Sequence, residues 1–329
     1  MPVDLWGSAD FVEEATGWVR EKAARAGLRL TGEWQQPHLR AWSSTIRYET
    51  TSGALWFKVN GPGTRFEPAV LAVLARRAPL LVPGVVAVDS ARGWSLMLDA
   101  GPVMRSLAEP AALWDPWCAL LRQYADAQLA LVEHVEELVA AGLERLAPEL
   151  MPARLAGLVE DLARTPEHDG GLSADDARRL EASLPAYRAW CAELADSGIP
   201  ASLNHDDLHS NNVCVGDAGP RVIDWGDAKV SHPFATMLAT LNSIAWHADT
   251  TVDDPRVRRV RDAYLEAFDG YADREHLRRL VHLARRTGCL GRALSYVSAL
   301  EGEPRTAHEE LDWPVRGWLL ELLDDAWGP

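Results

Sequence analysis

The residues best suited to chemistry lie close together between positions 204 and 228, in the stretch NHDDLHSNNVCVGDAGPRVIDWGDA. A loop rich in His, Asp and Asn precedes two short apolar runs, and the second run ends at Asp224. Phosphoryl transfer needs an aspartate that orients the attacking hydroxyl, together with oxygen ligands for a divalent cation that neutralises developing charge. Asp207, Asn212 and Asp224 offer these groups, so the segment predicts phosphoryl-transfer chemistry.

The spacing within the loop indicates which aspartate is the base. Kinase catalytic loops follow the pattern HxDxxxxN, and His205, Asp207 and Asn212 reproduce both of its intervals. Asp206 fits less well, because no histidine stands two residues before it. Asp207 is therefore the predicted catalytic residue, and Asn212 and Asp224 are the predicted metal ligands. We expect His205 to brace the loop by a hydrogen bond to the backbone near Asp224.

A lysine in the first hundred residues completes the set of residues that phosphoryl transfer needs. Lys58 lies near the end of the third β-like run, ALWFKV, as the lysine of the kinase VAIK segment does. From that position its ammonium group reaches the α- and β-phosphates of a nucleotide. An exposed strand lysine is the alternative, but the Trp-Phe pair before Lys58 favours a buried strand and the phosphate role.

Two motifs together resemble those of one family. HDDLHSNN, residues 205–212, is similar to the HGDLHxGN loop of the aminoglycoside phosphotransferase and choline kinase-like phosphotransferase enzyme family, and VIDWGDA, residues 222–228, is similar to its IDWEDA segment. The chain looks most like actinobacterial-type members. The resemblance implies a bilobal protein-kinase-like fold and a small-molecule kinase that moves the γ-phosphate of Mg-ATP to a hydroxyl. ATP and Mg²⁺ are then the cofactors, and an aminoglycoside, sugar or amino alcohol is the acceptor.

The resemblance also assigns residues of the first lobe by position. Glu67 corresponds to the helix carboxylate that holds the phosphate-binding lysine, although an acidic first turn suits any helix start. The strand-turn RAWSSTIRYE, residues 40–49, occupies the place of the serine-bearing loop that covers the phosphates. Ser43, Ser44 and Thr45 would offer hydroxyl and backbone N–H groups there, and a plain hairpin is the alternative.

Three further assignments follow from the same comparison. LMLDAG, residues 96–101, resembles the hinge between the lobes, where the backbone at Leu98 and Asp99 would bind adenine. Asp206 replaces the glycine of the family's HGD, and it either perturbs the pKa of the neighbouring base or points outward. Asp227 either approaches a metal or the acceptor, or belongs to a surface loop. These two roles stay open at the level of sequence.

The elements that must position these residues begin with an amphipathic helix at about 8–27 and five short β-like runs within 28–100. A helical segment beginning at Glu67, with Pro68 in its first turn, separates the third run from the fourth. Five strands and one helix between them indicate a small antiparallel α+β lobe. We therefore predict an N-terminal nucleotide-binding lobe at 1–100.

The rest of the chain has a different pattern. Long helical periodicities follow at 111–142, 150–164, 174–197 and from 233 onward. Only two short β-like pieces, at 213–215 and 221–224, interrupt them. Residues 101–329 are therefore predicted to form a larger, mostly α-helical lobe that carries the catalytic residues and binds the acceptor.

The composition limits the partners. The formal net charge of -15 and the isoelectric point near 5.1 disfavour binding to nucleic acid or anionic lipid, and suit a cationic acceptor. The sequence shows no leader and no apolar run of about 18 residues, so no membrane association and a cytoplasmic location are expected. A monomer or homodimer is expected. The four cysteines are too far apart for a metal cluster and should be buried free thiols: Cys118, Cys191, Cys214 and Cys289.

Three other functions use the same residues. A protein kinase is disfavoured because the segment after Asp224 has no APE motif and no room for an activation loop. A nucleotide-binding regulator without turnover, of the pseudokinase type, is disfavoured because the charged positions are all present. An AMP transferase remains an alternative, because a nucleotide bound in the reverse direction would use the same side chains.

Overall fold

The first hundred residues form a five-stranded antiparallel sheet with the strand order β1-β2-β3-β5-β4. The strands are β1 (Leu30–Leu39), β2 (Ser43–Thr50), β3 (Gly53–Asn60), β4 (Val85–Asp89) and β5 (Trp94–Leu98). The structure is a computed structural model that describes residues 2–107, 109–299, 301 and 312–324. It confirms the predicted α+β, protein-kinase-like architecture; the domain boundary near residue 100 stays a prediction.

Two helices, α1 (Pro2–Trp6) and α2 (Ala9–Arg25), precede this sheet. The side chain of Ser8 caps α2 by accepting a hydrogen bond from the Phe11 amide. Apolar residues of α2 at helical spacing pack against the sheet: Phe11 meets Trp94 edge-on, and Trp18 meets both Phe57 and Trp94 edge-on. Because alternate residues of a strand face opposite sides, Phe57 on this side places the next residue, Lys58, on the other.

Helix α3 (Glu67–Arg77) follows β3 after a short 3-10 helix at Pro62–Thr64. Pro68 lies in its first turn, where a missing N–H leaves no hydrogen bond unmade. The buried face of α3, including Leu71 and Leu74, joins the main hydrophobic core of the second half of the chain. Glu67 is therefore carried on a helix that both halves of the molecule hold in place.

The second half is mostly helical, as predicted. Its helices are α4 (Trp114–Leu131), α5 (Val135–Ala140), α6 (Met151–Arg164), α7 (Ala174–Ala195), α8 (Met237–His247), α9 (Pro255–Leu265), α10 (Arg274–Ala299) and α11 (Asp312–Glu321). The long helix α10 packs against α6, α7, α8 and α11, and it also reaches the 3-10 helix of the first half. The predicted C-terminal helical region at 302–311 and 325–329 lies outside the described residues.

The prediction of only two β pieces in this half was wrong. The two pieces are there, as the hairpin of β8 (Val213–Gly216) and β9 (Gly219–Val222). A second sheet adds β6 (Glu144–Leu146), β7 (Ser202–Asn204) and β10 (Lys229–Ser231), in the order β6-β10-β7. Strands of three residues are too short to show an alternating pattern, so long-range pairing and not local sequence defines them.

The remaining sequence expectations concern cysteines and membranes. All four cysteines are buried and unpaired, as predicted. Within the part of the chain that the structure describes, no helix has the length and apolar character needed to span a membrane.

Candidate active site

A buried lysine links three elements at the centre of the molecule. The Lys58 Nζ of β3 donates to Glu67 Oε2 at the start of α3 and to Asp224 Oδ1 after β9, each at 2.6 Å. Glu67 is fully buried and its other oxygen accepts from the Trp225 amide at 3.0 Å. Burial disfavours the charged lysine, but Asp224 and Glu67 outweigh it and raise the pKa of Lys58 above its ordinary value. The ammonium is therefore fixed in its charged form.

Asp224 is placed by a backbone conformation that few residues adopt. Its φ of 66° is left-handed, and it turns the chain sharply from β9 into the 3-10 helix at Trp225–Asp227. The side chain is about half exposed, at 54%, because it faces the cleft. The adjacent Lys58 ammonium is the main cause that lowers the pKa of Asp224, so its carboxylate is ionised and available to a cation.

Asp207 lies on a loop whose histidine fixes its geometry. The Asp207 amide donates to His205 Nδ1 at 3.3 Å, so the proton of this ring is on Nε2, which donates to the Ile223 carbonyl at 2.9 Å. This contact is the brace that the sequence predicts between the loop and the segment of Asp224. His205 is fully buried, and burial lowers its pKa, so the ring is neutral.

The carboxylate of Asp207 has two cationic or polar neighbours. Arg292 Nη2 lies 3.1 Å from Oδ1, and His209 Nε2 lies 3.3 Å from Oδ2. Burial disfavours the charged carboxylate, but Arg292 and His209 more than offset it and hold the pKa of Asp207 below its ordinary value. An ionised carboxylate can accept a hydrogen bond from a hydroxyl, and the catalytic role of Asp207 stays a prediction.

Asn212 and Asp224 stay the predicted ligands of a divalent cation; Asp224 lines the cavity described below, and Asn212 is not among its lining residues. Asn212 Nδ2 donates to the Asp207 carbonyl at 2.9 Å, which fixes the nitrogen end of the amide and leaves its oxygen as a possible ligand. An amide oxygen, a carboxylate and phosphate oxygens are the ligands that Mg²⁺ takes in nucleotide sites. In the described residues no three His, Cys, Asp or Glu side chains cluster to hold a metal.

Asp206 points into the protein and does not face the cleft. Its φ of 64° is left-handed, which explains why a glycine suits this position in the motif that the chain resembles. The buried carboxylate accepts from Lys229 Nζ at 2.9 Å and from Ser295 Oγ at 3.3 Å. Gly291 of α10 lies beside it, where an added Cβ would be 3.0 Å from Asp206 Oδ2. This contact fastens α10 to the loop of Asp207.

Arg292 is the main residue of the site that sequence reasoning missed. It bridges Asp207 and Asp227, whose Oδ2 lies 2.8 Å from Arg292 Nη1. Asp227 is therefore part of the site and not of a surface loop. The signal in the sequence was a single arginine within the otherwise small and apolar run GCLGRAL of a long helix, and nothing local relates it to a loop more than 80 residues earlier.

The cleft between these residues is a cavity of about 190 Å³. Four of the predicted residues line it, namely Ser43, Lys58, Asp207 and Asp224. The other lining residues are Trp42, Asn60, Thr64, Gly226, Asp227, Arg292, Ser295, Tyr296 and Ala299. Trp42 and Tyr296 give it an aromatic edge, and the rest of the lining is mainly charged or polar.

The predicted phosphate loop contributes less than expected. Ser43 and Trp42 reach the cavity, but the Ser44 side chain is buried, donating to the His38 carbonyl and accepting from Gln36 Nε2. The Thr45 hydroxyl is buried and has no hydrogen-bond partner among the described residues. A phosphate role for Ser44 and Thr45 stays a prediction; both residues lie on β2, which is paired with β1 on one side and β3 on the other.

The predicted hinge lies outside the cavity. The Leu98 amide donates to the Gly84 carbonyl at 2.8 Å, and the Asp99 amide donates to the Ala54 carbonyl at 3.2 Å. The Asp99 carboxylate accepts from the Gly101 amide at 2.9 Å. Adenine binding at Leu98 and Asp99 stays a prediction, and in this structure both amides are already used.

Comparison with known proteins places this geometry in a family. Residues 34–280, more than half of the chain, match the family model described as "Phosphotransferase enzyme family". No curated protein sequence has a significant match.

Solved structures share the fold at low sequence identity. An ethanolamine kinase from Plasmodium vivax is 14% identical, with a TM-score of 0.61 over 98% of this chain and 90% of that one. A macrolide 2'-phosphotransferase type I is 15% identical, with a TM-score of 0.57 over 96% and 97%. A thermostable mutant of an aminoglycoside phosphotransferase, in a ternary complex with ADP and hygromycin B, is 13% identical, with a TM-score of 0.55 over 95% and 98%.

Proposed function

Because this chain belongs to the phosphotransferase enzyme family, we propose that it transfers the γ-phosphate of ATP to a hydroxyl group of a small molecule. The observation that carries the proposal is the pairing of two charged sets across one cavity. Lys58, held between Glu67 and Asp224, lies on one side, and the ionised Asp207 lies on the other. Lys58 and its two carboxylate partners suit the phosphates of a nucleotide, and Asp207 suits the acceptor hydroxyl.

The proposed reaction is a direct in-line displacement. The acceptor oxygen forms a bond to the γ-phosphorus while the bond to the β–γ bridging oxygen breaks, and the bridging electron pair leaves with ADP. Asp207 accepts the hydrogen bond of the attacking hydroxyl and then its proton, which passes to solvent. Lys58 leaves Asp224 and binds the α- and β-phosphates. Asn212 and Asp224 would hold Mg²⁺, which would supply positive charge that neutralises the phosphates.

The proposed nucleotide is ATP. The support comes from the fold relative that was solved with ADP and hygromycin B, and from the retained lysine, glutamate and aspartate positions. The proposed acceptors are aminoglycosides, sugars and amino alcohols, because fold relatives carry the names of an ethanolamine kinase and a macrolide phosphotransferase. The acidic net charge of -15 favours a cationic acceptor among these.

Location and assembly are part of the proposal. Four buried free thiols suit a reducing compartment, so we place the protein in the cytoplasm, as a monomer or homodimer. The lobe at 1–100 would bind the nucleotide, and the lobe at 101–329 would supply the catalytic loop and the acceptor surface.

The test is a screen of Mg-ATP consumption with amino sugars, aminoglycosides, neutral sugars, macrolides and amino alcohols. Acceptor-dependent ADP release that is lost in Asp207→Asn supports the proposal. Asp217→Asn is the matched control, because Asp217 is an exposed aspartate of the nearby β8–β9 hairpin and should leave the rate unchanged. Product mass separates the alternatives, since a gain of one nucleotide unit would instead indicate an AMP transferase. Nucleotide binding without turnover on any acceptor would indicate the regulator.

A further inference from the structure

We propose that Arg292, on α10, binds the phosphoryl group during its transfer and is a catalytic residue of this site. The inference rests on the proposed function and adds a second cation to it. Arg292 lines the same cavity as Lys58, Asp207 and Asp224. It comes from a helix, α10, that no motif in the sequence connects with catalysis.

The contacts of Arg292 place its guanidinium beside the attacking position. Nη2 lies 3.1 Å from Asp207 Oδ1, and Nη1 lies 2.8 Å from Asp227 Oδ2 and 3.2 Å from the Asp206 carbonyl. An acceptor hydroxyl bonded to Asp207 would therefore lie within a short distance of this cation. The phosphorus that the hydroxyl attacks must come into the same space, next to the guanidinium.

The guanidinium is buried but its hydrogen bonds are incomplete. Only 5% of Arg292 is exposed, and its Nε has no hydrogen-bond partner among the described residues. A guanidinium has five N–H donors, and Arg292 makes two hydrogen bonds through Nη1 and an ion pair through Nη2 among the described residues. Leaving a buried donor unpaired is unfavourable. A phosphoryl group has three equatorial oxygens, which are acceptors suited to the guanidinium of a residue that lines the cavity.

Contacts of α10 on both sides of Arg292 hold this arginine in a fixed position. Gly291 allows α10 to approach Asp206, and Ser295, one turn after Arg292, bonds to the same carboxylate. The guanidinium also lies 5.5 Å from the ring centre of Tyr296 and 5.9 Å from that of Trp318. A cation held by carboxylates and rings in this way needs little reorganisation when charge develops nearby, which is the condition for strong transition-state stabilisation.

The charged side chains that line the cavity also favour a cation at the position of Arg292. Its lining carries the carboxylates of Asp207, Asp224 and Asp227, against the side-chain cations of Lys58 and Arg292. Without Arg292, Asp207 and Asp227 would lose the cation that they share, and their two carboxylates would repel the most negative part of ATP. Lys58 is occupied with the phosphates farther from the acceptor, so it cannot serve both ends.

The experiment compares Arg292→Ala and Arg292→Lys with wild type, and uses Arg279→Ala as the matched control. Arg279 lies on the same helix and pairs with Glu193 at the surface. We expect Arg292→Ala to lower kcat by on the order of 10²- to 10³-fold, as loss of a donor to a transferring group does. Arg292→Lys should lower kcat less, because lysine keeps the positive charge but cannot donate the two parallel hydrogen bonds of a guanidinium. Added guanidinium ion should restore part of the rate of Arg292→Ala only.

A binding measurement gives a readout that does not depend on turnover. By calorimetry, Arg292→Ala should bind Mg-ADP with near wild-type affinity, but should lose affinity for Mg-ADP with aluminium fluoride, which mimics the phosphoryl group in transfer. A wild-type protein that turns over no acceptor would contradict the proposed function, whereas this affinity ratio still decides the role of Arg292.

Two results would overturn the inference. One is a folded Arg292→Ala protein whose kcat stays within about fivefold of wild type. The other is an equal loss of affinity for both complexes with no rescue by guanidinium, which indicates a purely structural arginine. If the alanine variant does not fold, Arg292→Lys decides the question. A folded Arg292→Lys protein with wild-type kcat and wild-type affinity for Mg-ADP with aluminium fluoride would also contradict the proposed role.

Discussion

The direct contact between Lys58 and Asp224 has a consequence for nucleotide binding at the scale of single residues. Lys58 Nζ is 2.6 Å from both Glu67 and Asp224, so two carboxylates share one cation. Under the proposed function, Asp224 would turn to a divalent cation, and Lys58 would keep Glu67 and gain phosphate oxygens. We therefore propose that the fully buried Glu67 is the permanent partner of Lys58 and that the half-exposed Asp224 is the exchangeable one.

This exchange predicts the behaviour of Asp224→Asn. The amide is a weaker ligand for Mg²⁺, so we expect kcat to fall by a factor on the order of 10²–10³, and the Mg²⁺ concentration for half-maximal rate to rise. Stability should change little, because Lys58 retains Glu67. The measurement is a Mg²⁺ titration of initial rate, beside a thermal melt. An unchanged Mg²⁺ requirement would contradict the role of Asp224 as a ligand.

A second residue-scale prediction concerns Glu67. Glu67→Gln removes the buried carboxylate partner of Lys58, and among the described residues Asp224 is then its one remaining carboxylate partner. We expect the KM for ATP to rise more than kcat falls, because Lys58 would remain on Asp224 more of the time. Steady-state kinetics against ATP concentration test this. Glu109→Gln, at an exposed glutamate far from Lys58 in the sequence, is the control and should change neither constant.

At the scale of elements, the site depends on how α10 meets the catalytic loop. Asp206, Lys229 and Ser295 connect the loop, β10 and α10 through buried contacts. Neither β10 nor this contact was predictable, since a three-residue strand has no periodicity and the pairing partners are far apart in sequence. The loop itself was predictable, because the His, Asp and Asn that hold it are local and their spacing follows from its geometry.

The buried ion pair of Asp206 and Lys229 predicts that the effects of substituting the two residues on the free energy of unfolding do not add. The side chains of Lys229 and Asp206 are only 6% and 2% exposed, so Lys229→Met leaves a buried carboxylate unpaired and should lower the free energy of unfolding by about 3–5 kcal/mol. The double variant Asp206→Gly with Lys229→Met removes both charges, and gives glycine the left-handed position. It should therefore be more stable than Lys229→Met alone.

Denaturant unfolding of the two single variants and the double variant measures this coupling. Arg122→Met is the control, because its pair with Glu266 is about half exposed and should be worth less than about 1 kcal/mol. Additive free energies in the cycle would show that Asp206 and Lys229 do not stabilise each other.

At the scale of the whole molecule, the sequence predicted the α+β architecture, and the structure brings four of the predicted site residues to one cavity. Lys58, Glu67, Asp207, Asn212 and Asp224 could be found because each is marked by a local motif or by a position at the end of an apolar run. Arg292 could not, because only the packing of α10 across the molecule brings it to Asp207. The sequence also does not show which side of the sheet each β2 side chain faces. For this reason the buried Ser44 was predicted to bind phosphate together with Ser43.

The whole molecule should lose stability in acid partly through one histidine. His232 is buried, its Nδ1 accepts from the Phe234 amide at 3.2 Å, and its Nε2 has no partner among the described residues. Burial lowers its pKa from 6.5 to about 3. Between these values the unfolded chain binds a proton that the folded protein does not, so stability falls as pH falls through this window.

The expected contribution is up to about 1.4 kcal/mol per pH unit. His232→Asn keeps a hydrogen-bond acceptor at this position and removes the titrating ring, so its free energy of unfolding should fall less between about pH 6 and about pH 4 than that of wild type. Equal slopes of unfolding free energy against pH in the two proteins would show that His232 is not the cause.

The central claim, that Asp207 and the Lys58 set together transfer a phosphoryl group to a small molecule, is tested most directly by following the label of γ-labelled ATP. The account predicts that label appears in the acceptor with wild-type protein, and not with Asp207→Asn. It also predicts that α-labelled ATP leaves the acceptor unlabelled. Transfer of the α-label, or equal γ-label transfer by wild type and Asp207→Asn, would contradict it.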